Sequence, residues 1–244
     1  MQKEMNNVAI EVFNRYEHKY LMDKETFKKV ISVMDEHMEL DPYNKNHEFY
    51  TIANIYYDTS DDYLIRNSLA KPVYKEKLRL RAYGVPDMST KVFLEIKKKY
   101  NGIVNKRRTA LELGEAYRFI RSGKKPGEKD YMNKQVLNEI AYFLKMYDLS
   151  PKLYLAYDRL AYFEKDNPDL RISFDRNIRS RRYDVHLEDG DYGEALLSGD
   201  MYLMEIKTAM AKPMWLTHML AELNIKRNSF SKYGTEFKNM VSSR

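Results

Sequence analysis

Basic side chains recur at every second position in several separate segments of this 244-residue chain. Lys75, Lys77, Arg79 and Arg81 form one run, and Lys106 and Arg108 form another. Lys19, Lys97 and Lys207 each lie two residues from a glutamate: Glu17, Glu95 and Glu205 respectively. Guanidinium groups bind phosphate through paired N–H donors, and ammonium groups act on it as point charges. A lone glutamate among such cations either holds a divalent cation on phosphate oxygens or serves as a structural ion-pair partner. The chemistry open to these residues is recognition of a phosphorylated anion, with a divalent cation on its oxygens where a glutamate holds one.

Composition narrows the partner. Lys and Arg total 42 against 36 Asp and Glu, a net charge of +6. The excess is local: the stretch from Lys71 to Arg108 holds twelve basic and three acidic residues. Such a block points to nucleic acid, a membrane surface or a phosphorylated small molecule. Cysteine is absent, which excludes disulfides, thiol nucleophiles and thiolate metal sites and fits a reducing, cytoplasmic setting. The five histidines (His18, His37, His47, His186, His218) have no metal-ligand spacing, which argues against a zinc hydrolase. No apolar run reaches the length of a membrane span, and the N-terminal residues have no secretory pattern. A soluble protein is expected.

Strands must position these charges. Period-2 alternation predicts eight of them: 15–21, 52–58, 74–83, 92–98, 106–113, 153–163, 171–179 and 201–207. Helical spacing places Phe27, Val30, Ile31, Met34 and Met38 on one face behind a cap at Asp23, and does the same for Val136, Ile140, Phe143, Leu144 and Tyr147 within 130–148. Pro213 suits the first turn of a helix over 214–223, and a last helix is expected near Ser231. The stretch 121–129 reads as a loop. The expected fold is α+β, with an eight-stranded antiparallel β-barrel, helices packed outside and a C-terminal helix at the barrel end. A single domain over 1–244 is expected.

Alternation also sorts the faces. Lys75, Lys77, Arg79 and Arg81 oppose Leu78 and Leu80; Glu95 and Lys97 oppose Leu94 and Ile96; Glu205 and Lys207 oppose Met204 and Ile206; Arg15, Glu17 and Lys19 oppose Tyr16 and Tyr20. One reading is a half-buried sheet with solvated charges outside. The other reverses the barrel: apolar faces pack against outer helices, and the charges line a lumen, where a polyanion is needed to offset their repulsion. Asp58, before Thr59 at a strand end, fits turn or cap chemistry as well as it fits catalysis, and Glu17 and Glu95 are expected to act as ion-pair partners.

The motifs resemble a known family. Arg15-Tyr16-Glu17-His18-Lys19-Tyr20, Ile55-Tyr56-Tyr57-Asp58-Thr59, Lys77-Leu78-Arg79-Leu80-Arg81-Ala82-Tyr83, Phe93-Leu94-Glu95-Ile96-Lys97, Lys106-Arg107-Arg108, Tyr157-Asp158-Arg159-Leu160-Ala161-Tyr162, Met204-Glu205-Ile206-Lys207 and Phe230-Ser231-Lys232-Tyr233 occur in order. Together they are similar to the vacuolar transporter chaperone (VTC) domain, the polyphosphate polymerase branch of the CYTH-like triphosphate tunnel metalloenzymes. The resemblance implies a tunnel that binds ATP and polyphosphate and passes the terminal phosphate of ATP to a growing chain with Mn²⁺ or Mg²⁺. It assigns catalytic roles to Arg79, Arg81, Lys97, Arg159 and Glu205, with Glu205 on the metal. Phosphate binding falls to Lys19, Lys77, Lys106, Arg108, Tyr157, Lys207, Ser231 and Lys232.

Two departures bear on the activity. Arg15-x-Glu17-x-Lys19 lacks the first acid of the triphosphatase signature Glu-x-Glu-x-Lys, which favours the polymerase branch, and Ser229 stands where related eukaryotic proteins carry a basic residue. Two other functions remain open at this point: a non-catalytic binder of polyphosphate or inositol polyphosphate, and a triphosphate hydrolase. Nucleic acid and a membrane span are not expected.

Overall fold

The computed structural model describes residues 16–243 apart from 102, 166, 168, 198 and 210. Arg15 therefore lies outside the described residues. The elements run β1 (Tyr16–Met22), α1 (Lys24–Met34), β2 (Met38–Leu40), β3 (Tyr50–Asp58), α2 (Tyr63–Leu69), β4 (Tyr74–Tyr83), β5 (Lys91–Tyr100), β6 (Ile103–Glu112), α3 (Leu113–Ser122), α4 (Lys134–Met146), β7 (Ser150–Glu164), β8 (Arg171–Arg181), β9 (Glu194–Ala195), β10 (Tyr202–Thr208), α5 (Met214–Glu222), β11 (Arg227–Asn228) and α6 (Lys232–Ser242).

All ladders are antiparallel and belong to one sheet ordered β11-β1-β10-β8-β7-β3-β4-β5-β6, with β2 on β7 and β9 on β8. The eight strands expected from alternation are the eight long ones. β2, β9 and β11 have two or three residues each, too short for a period of two to register. The expected closed barrel needs correction: among the described residues no ladder joins β1 to β6, and β11 occupies the outer edge of β1 through Lys19↔Asn228 and Tyr20↔Arg227. A strand edge already paired cannot also close a barrel.

The sheet nevertheless curls. β1 and β5 are six strands apart along the path, about 29 Å if flat at ~4.8 Å per step. Yet Lys97 on β5 is near enough to Glu17 on β1 to lower its pKa. The charged faces of distant strands therefore look toward one another.

Apolar side chains on the convex face hold this curvature. Leu78, Leu80, Leu94, Ile96 and Tyr154 pack with Phe119 of α3 and Val136, Ile140 and Phe143 of α4. Tyr20, Met204, Ile206, Ile172 and Phe174 pack with Val30 and Met34 of α1 and Leu216 of α5. α1 ends at Met34, earlier than its apolar spacing suggests, and Met38 opens β2 instead. α4 begins after Asn133, whose side chain accepts from the Val136 N–H, shorter at both ends than the 130–148 window. Among the described residues no helix is long and apolar enough to cross a membrane.

α6 lies on the concave face. Tyr233 and Phe237 pack with Ile65 of α2 and with Leu153, Leu155, Tyr157 and Leu203. Gly234 permits this approach, since a Cβ there would come within 3.1 Å of the Leu69 side chain. Asp58, fully buried, fastens the assembly. Its carboxylate accepts from the backbone N–H groups of Thr59, Leu64 and Ile65 and from the Tyr233 hydroxyl. Of the two roles open to Asp58, these contacts are those of a cap, and they extend to α6. Asp58→Ala should lower stability by at least about 2 kcal/mol, because several buried donors lose a charged acceptor. A urea unfolding midpoint unchanged from the parent would contradict that role.

Candidate anion-binding site

Directly opposed residues in an antiparallel sheet share a face, so the register decides what the concave wall displays. Lys19 lies opposite Glu205 and Glu17 opposite Lys207. Arg159 lies opposite Asp175 on one side and Tyr50 on the other. Arg81 faces Asn54, Arg79 faces Tyr56 and Glu95, and Lys97 faces both Lys77 and Lys106. Leu78, Leu80, Leu94, Met204 and Ile206, in the alternate phase, are buried on the convex side. The reversed arrangement is the one adopted, and the solvated-charge reading fails.

Two carboxylate-centred clusters organise the cations. Glu95, 1% exposed, accepts from Arg79 Nε at 2.6 Å and pairs with Lys106 Nζ at 2.7 Å and Arg81 Nε at 3.8 Å. Burial pushes its pKa up, but these three cations outweigh burial and hold the carboxyl well below the usual range. Glu205 lies among Lys232 at 3.3 Å, Lys19 and Arg159 at 3.5 Å and Lys207 at 3.7 Å. It too stays ionised far below the ordinary value, the same cations overcoming burial.

Asp175 completes the second cluster and was not evident from the sequence. Arg159 donates to it twice, Nε at 2.7 Å and Nη2 at 2.8 Å, and Lys232 Nζ donates at 2.5 Å. The bidentate pair fixes the Arg159 fork, and the lysine ties the first residue of α6 to the wall. Sequence inspection had one faint signal: Arg171, Ser173 and Asp175 share a phase within an apolar strand.

Tyr157 bridges the clusters. Arg81 Nη2 donates to its hydroxyl at 3.2 Å, while Arg159 and Lys232 stand 5.1 and 4.4 Å from its ring centre. Burial raises its pKa, but Arg81 and Arg159 more than offset this and the net shift is downward. Ser231 caps α6, its hydroxyl accepting from the Gly234 N–H at 3.3 Å, so that N–H is engaged within the chain. Lys97 and Arg108 lie at the exposed margin, Arg108 against the Phe93 ring at 4.6 Å. The structure thus gathers all the expected residues on one wall or at its α6 end, with Lys97 and Arg108 least enclosed.

The wall is not neutral. Lys19, Lys77, Arg79, Arg81, Lys97, Lys106, Arg108, Arg159, Lys207 and Lys232 face Glu17, Glu95, Asp175 and Glu205, with Asp58 close enough to Lys77 to act on it. Lys77 shows the result: burial, then Lys97, Lys75 and Lys19, push its pKa down to about 7. Burial also takes Lys106 to about 7 despite Glu95. A bound anion would favour the charged form of both lysines and offset the burial that depresses them.

For a divalent cation the donors are few. Among the described residues no three acidic or histidine side chains cluster as a metal site. Glu17 and Glu205 do lie close enough for Glu205 to raise the Glu17 pKa; lysines still hold Glu17 at about 2 against that and against burial. Two ionised carboxylates suit a cation carried largely on phosphate oxygens and water rather than a dedicated protein cage.

A curled antiparallel sheet with a cationic concave wall and helices outside defines an α+β scaffold. Within it, the family model for the VTC domain matches residues 14–241. The chain belongs to the VTC domain family. A solved structure described as a "putative adenylate cyclase" from Bacillus halodurans is similar at 16% identity with a TM-score of 0.55, covering 91% of this chain and 96% of that one. A second, from Vibrio parahaemolyticus with the same description, is 12% identical with a TM-score of 0.49, covering 92% and 98%. The first likeness shows a shared fold. No curated protein matches the chain.

Lysines neutral near pH 8 must gain protons to pair with phosphate. Tripolyphosphate binding should therefore take up protons between pH 7.5 and 9 and weaken as pH rises through that window. Calorimetry in buffers of different ionisation enthalpy measures the uptake, and Lys77→Met should reduce it. Binding without proton exchange would contradict the depressed lysine pKa values.

Proposed function

We propose that this protein is a metal-dependent polyphosphate polymerase, with the concave wall acting as a triphosphate tunnel for ATP and the polyphosphate chain. One observation carries the reading: ten cations converge on a single wall around carboxylates too few to neutralise them. A chain of phosphates is a ligand whose repeated negative charge offsets such a wall along its length. VTC family membership supports the same scaffold.

In this reading Arg79, Arg81 and Lys106, held in place by Glu95, and Arg159, held by Asp175, grip phosphate oxygens without further reorganisation. Lys19, Lys207 and Lys232 surround the neighbouring position. The terminal phosphate oxygen of the acceptor chain attacks the γ-phosphorus of ATP. The bond from that phosphorus to the β-bridging oxygen breaks, and ADP leaves with the electron pair. The acceptor oxygen is already anionic, so the chain needs to supply no general base. Its task is to align the two phosphates and spread the developing charge over fixed guanidinium and ammonium groups. Glu205, with Glu17 beside it, would hold Mg²⁺ or Mn²⁺. When bound, the cation offsets charge on the transferring phosphate.

Glu205 separates this from passive binding. It also neutralises four neighbouring cations, so Glu205→Gln in a pure binder should keep or increase affinity for an anion. In an enzyme the same substitution should cut turnover on the order of a hundredfold. Purified protein incubated with ATP and Mn²⁺, resolved on a gel and by ³¹P NMR, decides the matter. ADP with polyphosphate, lost in Glu205→Gln while the unfolding midpoint stays near that of the parent, supports the polymerase. Free phosphate without chains contradicts it in favour of a hydrolase, and tight polyphosphate binding without turnover contradicts it in favour of a binder.

A further inference from the structure

The lysine-rich wall continues past the residues assigned above. Beyond the opposed pair Lys77 and Lys97, the β4–β5 ladder carries a second opposed pair on the same face, Lys75 and Lys99. Like charges directly opposite one another destabilise a strand pair. Neighbouring positions of this ladder avoid the problem: Glu76 opposes Lys98 on the convex face, and Arg79 opposes Glu95 on the concave one. Among the described residues no carboxylate ion-pairs with Lys75, Lys77, Lys97 or Lys99. Lys75 is half-buried, and its Nζ donates to the Ser68 carbonyl at 2.9 Å. Burial, then Lys99, Lys97 and Lys71, lower its pKa. The sheet thus leaves two successive lysine pairs unmatched on the concave side of one end.

The dimensions bear on the ligand. Arg81, Arg79, Lys77 and Lys75 stand two residues apart on β4, a row of about 20 Å at ~3.4 Å per residue. Three bridged phosphates are too short to follow it. We infer that Lys75 and Lys99 form a distal subsite for the far phosphates of a linear polyphosphate longer than a triphosphate, leading the chain out of the concave wall past the β4–β5 end. This rests on the reading of the wall as a polyphosphate site and adds a preference for chain length. A single-stranded nucleic acid fits this end less well. Its paired aromatic residues, Tyr74 and Tyr100, share the opposite face with Glu76 and Lys98, so neither ring stands on the face of Lys75 and Lys99 for a base to stack on.

The test is calorimetric titration of the full chain and of a Lys75→Gln/Lys99→Gln double variant, with tripolyphosphate and with a linear polyphosphate several times longer. Lys24→Gln/Lys29→Gln, on the outer helix α1, controls for loss of net charge. The expected result is a long-chain affinity lowered on the order of tenfold in the Lys75/Lys99 variant, as two charge-assisted contacts are lost. Its tripolyphosphate affinity should change less than about threefold, and the α1 variant should keep the length preference. Equal weakening of both ligands, or an equal effect from the α1 variant, would overturn the subsite. So would competition by a single-stranded RNA that depends on Lys75 and Lys99. If the parent protein binds neither phosphate ligand saturably, the polyphosphate reading itself fails, a result distinct from loss of length preference alone.

Discussion

Mutual repulsion among cations on one concave wall is the constraint that the rest of the structure answers. Ten basic side chains facing inward would drive the sheet flat or push their ammonium groups into water. The convex face prevents the first, because Leu80, Leu94, Ile96, Met204 and Ile206 would lose their cover from α1, α3, α4 and α5 if the curl opened. Glu95, Asp175 and Glu205 prevent the second by fixing seven of the cations at ion-pair distance. Burial, with like charge beside it, still pushes Lys77 and Lys106 down to about 7.

The carboxylates and the helices act together. Asp175 holds both Arg159 and Lys232, so one buried acid sets a strand arginine and the start of α6 at once. At the other side of α6, Tyr233 reaches Asp58, which also receives the first N–H groups of α2. Arg182 adds a bidentate pair to Glu236 on the next turn. The helix that supplies Lys232 is therefore located by polar contacts on both flanks and by Phe237 and Tyr233 in the apolar contact between them. Side chains carried by strands and a helix pinned in this way are held in place by the chain's own contacts.

Much of this was legible in the sequence. Alternation of charged and apolar residues gave the eight long strands and their faces, because a curled sheet with one apolar side enforces a period of two. The cationic residues of β4, β5 and β6 could be placed on one face before any coordinates. Asp175 could not, since a single aspartate in an apolar strand has no periodic signature and acquires meaning only when Arg159 is seen opposite it. The pairing of β11 with the edge of β1 was equally hidden in two residues. The position of α6 on the concave side depended on a glycine, Gly234, whose need for close approach to Leu69 appears only in three dimensions.

The proposed polymerase reading requires a chain of phosphates to complete the concave wall. The most direct measurement is the thermal unfolding midpoint as a function of tripolyphosphate concentration, set against orthophosphate and sodium chloride at matched ionic strength. A specific polyanion site predicts a saturable rise with tripolyphosphate well above that from either salt, because the ligand binds the folded wall and offsets its repulsion. Identical midpoints at matched ionic strength would mean that the cations are merely screened, and the account of the wall as a phosphate-chain site would be wrong.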